Sequence, residues 1–139
     1  MCGPAGRGWL LVGGAMSVLN GVVHFLLPVY FPWSDQLEGM YEPLRWALFA
    51  TTVFFGGLLV LGGVLTVMVA RATDVPQRVA VTVIGGMAAF WLLAGVYEVV
   101  IPFPAPVASW LLPTLSVIVG GVHLVGLRRR LRPADDRQG

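Results

Sequence analysis

The sequence predicts an all-α fold, an integral membrane four-helix up-down bundle with both termini in the cytoplasm, on three observations. Of 139 residues, 57% are hydrophobic and only 12% charged, with a mean hydropathy of +0.81, whereas a soluble domain carries about 25% charged residues. Four apolar segments each approach or exceed the roughly 20 residues that cross a hydrocarbon core of about 30 Å. The basic residues lie between those segments rather than inside them.

The first span is expected over 8–27, with Asn20 and His24 as its strongly polar side chains and Pro28 closing it. Arg7 before an apolar stretch also suits a signal peptide, but the stretch exceeds the usual core of about 7–15 residues and no small-residue cleavage site follows. We therefore read it as uncleaved. The second span, 46–70, is bracketed by Arg45 and Arg71. The third, 79–100, follows Arg78 and carries Glu98 near its far end. The fourth, 107–127, lies between a Pro-rich turn and Arg128-Arg129-Arg130. The segment 29–43 is too apolar to sit free in water. It reads as an interfacial element lidding the bundle, with Ser34 capping a short helical turn. The tail 133–139 is polar and expected to be disordered. Spans and loop form one membrane domain over 1–132.

Short positively charged loops stay on the cytoplasmic side. Arg7, Arg71, Arg78, Arg128, Arg129, Arg130, Arg132 and Arg137 share one side of a four-pass chain, and only Arg45 lies on the other. Trp9, Trp33, Trp46 and Trp110 fall near the span ends, where indoles are enriched. The expected location is the inner (plasma) membrane. The basic residues do not form a nucleic-acid face, and the single Cys2 excludes an internal disulfide framework. Attraction of Arg128 to Arg132 to anionic lipid is sufficient reason for the basic end.

Small residues allow helices to approach closely in lipid. Gly13, Ser17 and Gly21 recur at every fourth position of the first span and form the expected packing face, within one monomer or between copies.

No phosphate loop, dinucleotide fingerprint, nucleophile elbow or zinc-protease motif is present, which weighs against an enzyme. Chemistry then rests on ionisable groups at membrane depth, each a functional candidate because insertion is costly. The candidate polar intramembrane residues are Asn20, His24, Glu98 and His123. Asn20 and His24 share a helix face, as ligand or proton groups or as an interhelical hydrogen bond. Val18 to Phe25 and Val117 to Leu124 repeat a Gly-x-x-His pattern, but a duplication of two-helix halves would pair spans one and three. A shared haem or metal site is disfavoured by depth. His24 lies roughly 22 Å along its helix from Trp9, and His123 roughly 8 Å from Arg128. Asp35, Glu38, Glu42 and Arg45, with Glu98, gather on the other side as an acidic cluster, either a cation site or a solvated loop. Glu98 is expected to be half buried and paired with Arg45 or His24.

The pattern Gly21-x-x-His24-Phe25-x-x-Pro28, an interfacial loop with Trp33, and three further short-looped spans resembles the small bacterial DoxX-like four-helix membrane proteins. The resemblance implies the fold and a link to redox systems or membrane complexes; it assigns no catalytic residue. Two functions follow as expectations. One is an accessory or assembly subunit of a membrane complex, whose partner is a membrane protein or a second copy. The other is a redox or quinone-linked component, or a small ion or proton transporter, using His24 and Glu98; quinone or haem is the cofactor considered.

Overall fold

The structure, a computed structural model, describes residues 4–102 and 105–132. The tail expected to be disordered, 133–139, and part of the turn after the third span lie outside the described residues. Among those described every regular element is helical: α1 (Pro4–Tyr30), α2 (Trp33–Gln36), α3 (Glu42–Arg71), α4 (Gln77–Val100) and α5 (Pro106–Leu131). The four long helices are each long and apolar enough to cross a membrane. Bulky residues stand on their outer faces at mid-span, with Leu19, Phe54 and Leu93 66%, 70% and 69% exposed. Exposure on that scale suits lipid as the surrounding solvent.

Each helix runs past the expected span. Pro106 sits at the first position of α5 and Pro43 at the second of α3, within the first turn, where the missing N–H is no loss. Glu42 in the first turn of α3, and Arg128 to Arg130 in the last turn of α5, complement the helix dipole. Pro28 does not close α1. It lies inside the helix, which continues to Tyr30 with Phe31 N donating to Leu27 O at 3.0 Å. An internal proline loses one backbone bond, a loss that membrane helices tolerate.

We name the two ends of the bundle by their charge. The arginine end holds Arg7, Arg71, Arg78 and the end of α5; the acidic end holds α2, Glu42 and Glu98. α1 packs along α3 on one side and α5 on the other, and α4 packs along α5, while α3 and α4 meet only slightly. The bundle is thus a ring with one loose seam.

The α1–α3 crossing is set by two glycine pairs. A Cβ on Gly21 would lie 2.6 Å from Gly56 O, and one on Gly56 would lie 2.9 Å from Gly21 O. Gly14 and Gly63 repeat the arrangement at 2.8 and 2.6 Å. Any side chain there meets backbone, so these four positions hold the helices close enough for van der Waals and Cα–H···O contact. The expected face of Gly13, Ser17 and Gly21 divides among three neighbours: Gly13 abuts His123 of α5, Ser17 bonds Trp91 of α4, and only Gly21 meets α3. Helix geometry explains the difference. Successive fourth positions advance about 40° around the axis, whereas a seven-residue spacing returns to within about 20° of the same face.

Leu10, Val69, Ala70, Ala80 and Ile84 form the core near the arginine end. There Arg130 Nη1 donates to Val69 O at 2.9 Å, closing the last turn of α3, and the Arg129 guanidinium lies 5.7 Å from the Trp9 ring. Arg129 and Arg130 therefore join three helices, a role beyond the lipid anchor expected of them. At the acidic end the N-cap position of α2 is Pro32, not Ser34, and no side chain caps the helix. Ser34 lies inside the helix and donates to Asp35 Oδ1 at 2.9 Å. Trp33 fixes α2 to α3 by an edge contact with Phe49, ring centres 5.6 Å apart.

Candidate functional site

Between the acidic ends of α1, α3, α4 and α5 lies a cleft of about 630 Å³. Asn20 and His24 of α1 line it together with Glu98 of α4, three of the four polar intramembrane candidates. The separation of Asn20 and His24 by one turn places both on the inward face. His24 Nδ1 lies 3.0 Å from Asn20 O. A carbonyl only accepts, so Nδ1 is the donor, and in the neutral ring Nε2 is then the acceptor. The ring is also held by Phe55 of α3, with centroids 4.7 Å apart.

Glu98 is half buried, as expected, but its partner is Ser116 rather than Arg45 or His24. Ser116 Oγ donates to Glu98 Oε2 at 2.8 Å. Arg45 stands near the start of α3, and no Arg45 atom lines the cleft. Ser116 itself is buried, so one carboxylate oxygen is fixed by a rigid helix and the other is left for a ligand or water.

The walls are aromatic. Phe55 and Phe90 have ring centres 5.3 Å apart, and Phe90 and Trp91 6.0 Å apart, continuing the line from His24 into the bundle. Trp91 is buried and donates to Ser17 Oγ at 2.9 Å. With Leu59 and Val119 it forms a packed layer one turn toward the arginine end. No element of the lining comes from α2. The interfacial segment therefore does not line this cleft; α2 lies beside α1, with Trp33 reaching Phe49 of α3.

His123 lies beyond that layer, fully buried, with Nδ1 2.8 Å from Val119 O and Nε2 without a partner. Both histidines thus bond the carbonyl four residues earlier on their own helices. They do not share a site. His123 packs against Gly13, which is roughly 16 Å along α1 from His24.

The acidic candidates do not converge. Asp35, Glu38 and Glu42 are solvent-exposed, and among the described residues no group of three or more His, Cys, Asp or Glu is placed to hold a metal. Of the two alternatives for these residues, the solvated loop agrees with their exposure.

Ser116, Phe55, Phe90, Tyr97 and Trp91 were not legible as site residues. Trp91 offered a signal, as the one tryptophan far from any span end, since a buried indole N–H needs a partner. Ser116 lies seven residues before His123, on the same face of α5.

Chemically, the cleft offers an amide, an imidazole acceptor, a carboxylate and the Tyr97 hydroxyl against apolar walls. No protein-family model, curated protein or solved structure matches the chain. The DoxX-like resemblance gains no support from them, and only the helical topology is compatible with it.

Proposed function

We propose that this chain is a multi-pass protein of the bacterial inner membrane whose cleft binds the polar head of a lipid-soluble ligand of the quinone class, as a component of a membrane redox system. One observation carries the reading. Asn20, His24 and Glu98 line one cleft with hydrogen-bonding capacity to spare, inside walls formed by Phe55, Phe90 and Trp91. Ligand pockets combine apolar walls with a few convergent polar groups in this way. A carbonyl or hydroxyl head can take a hydrogen bond from the Asn20 amide and exchange a proton with Glu98 or His24, while the rings exclude water. The distribution of arginines supports placing both termini in the cytoplasm and the cleft near the outer face.

The test is purification of the native chain in mild detergent, with mass spectrometry of all that co-migrates in fixed ratio. The expected result is a stoichiometric lipid-soluble molecule, lost from the paired variant His24→Phe with Glu98→Gln. A chain that carries no small molecule, or holds the same one after both substitutions, overturns the reading.

A second reading, an accessory or assembly subunit, is favoured by aromatic side chains at the acidic end. Tyr30, Tyr41, Trp46 and Trp110 are each at least 70% exposed. A stoichiometric protein partner in the same experiment, without a small molecule, would support it.

A further inference from the structure

The loose seam between α3 and α4 is a second cavity, of about 310 Å³, and its lining is wholly apolar: Leu58, Leu61 and Leu65 face Val83, Met87 and Phe90 across it. Two glycines make the room. At Gly62 an added Cβ would collide with the Met87 thioether, so Met87 lies across the helix only because Gly62 has no side chain. Gly86 faces open space, with nothing within 4 Å of an added Cβ. The seam runs from Phe90 toward the arginine end over roughly 10 Å, taking 1.5 Å of rise per residue along α4.

Phe90 lines this seam and the polar cleft alike. The same ring therefore borders both cavities, with hydrogen-bonding groups on the side of the acidic end and apolar side chains alone on the other. From that adjacency we infer that the ligand is a single-headed amphiphile with a linear hydrocarbon tail, and that the tail leaves the cleft past Phe90 and lies in the α3–α4 seam. The assignment rests on the cleft reading given above. The matched order of polar and apolar surface selects this occupant over a partner helix, which would have no use for the polar end. Because the tail is already in an apolar medium when free in lipid, packing rather than hydrophobic transfer holds it. Flexible Met87 adapts to its contour.

The experiment uses the full chain in lipid nanodiscs and two probes, a decyl-substituted benzoquinone and its methyl homologue, with affinity expressed per mole fraction in the bilayer. The decyl probe should bind about tenfold more tightly, equivalent to roughly 1.4 kcal/mol. Gly86→Leu, placed in open space but filling the seam, should abolish that difference and leave the methyl probe's affinity unchanged. A decyl probe with a diazirine midway along its tail should label Met87 in the unmodified chain, a result that does not depend on how any variant folds. Equal binding of the two probes, or labelling spread evenly over outer-face residues such as Leu19, overturns the tail assignment while leaving the cleft reading intact. Binding of neither probe removes both. A co-purified protein segment that crosslinks to Met87 also overturns the assignment.

Discussion

Trp91 donates its indole N–H to Ser17 Oγ at 2.9 Å, and the Ser17 hydroxyl donates in turn to Gly13 O at 3.0 Å. The pair joins α4 to α1, two helices that otherwise face each other across the middle of the ring. Removing the hydroxyl leaves a buried N–H without an acceptor. Ser17→Ala should therefore destabilise the protein by about 1–2 kcal/mol, toward the upper end of what polar contacts between membrane helices contribute. Trp91→Phe removes the donor, and Ser17→Ala should then add little. Unfolding of the two single variants and the double variant in mixed micelles measures the coupling; strictly additive losses would show the bond contributes nothing.

The glycine pairs make a sharper prediction, because backbone atoms cannot move aside. Gly21→Val or Gly56→Val drives a side chain into the carbonyl of the opposite helix. Each should lose about 3 kcal/mol, at the upper end of overpacking costs. Gly57 has nothing within 4 Å, so Gly57→Val should stay within about 0.5 kcal/mol, as exposed substitutions do. Thermal unfolding of the three variants in one detergent compares them directly; equal losses would mean the α1–α3 approach is not what the glycines serve.

These two cases mark how far the sequence could be read. The four spans were legible because charge and hydropathy act over many residues at once, and a four-helix order follows from short connections. Asn20 and His24 were placed on one face by a one-turn spacing, and Glu98 was placed at the same end by counting from Arg78. What escaped was azimuth. Helices that are apolar on every side carry no stripe to say which face turns inward, so Gly13 was assigned to a packing face where Gly14 is the residue that meets α3, and Ser116 looked like any other span residue. Glu98 was assigned to Arg45 or His24 because charge attracts charge in a sequence. In the fold α5 lies nearer, and its Ser116 satisfies the carboxylate.

His123 shows the same limit from the other side. It reads as a functional candidate by rarity, yet it sits in the core with Nε2 unpartnered and Gly13 against its ring. A buried acceptor without a donor carries a desolvation cost of about 1–3 kcal/mol. His123→Leu, an apolar side chain of similar bulk, should leave stability unchanged or raise it by about 1 kcal/mol. The midpoint of unfolding decides this. A loss exceeding about 2 kcal/mol would mean that Nε2 has a partner in the membrane, such as a trapped water, and that the histidine is held for it.

Orientation is the remaining question that decides which compartment supplies the cleft. Seven arginines lie at one end of the described chain, Arg7, Arg71, Arg78, Arg128, Arg129, Arg130 and Arg132, while the other end has Arg45 alone. Moving the basic end across a bilayer would carry all of them through it, so retention in the cytoplasm is the expected outcome. Arg129 and Arg130 reinforce it, because their contacts with Trp9 and Val69 tie the ends of α1, α3 and α5 into one basic platform. Ser34 and Thr73 are exposed in the connections at opposite ends. With Cys2→Ala as background, Ser34→Cys should react with an impermeant maleimide in intact cells. Thr73→Cys should react only after the membrane is opened. The reverse pattern would place the cleft mouth in the cytoplasm.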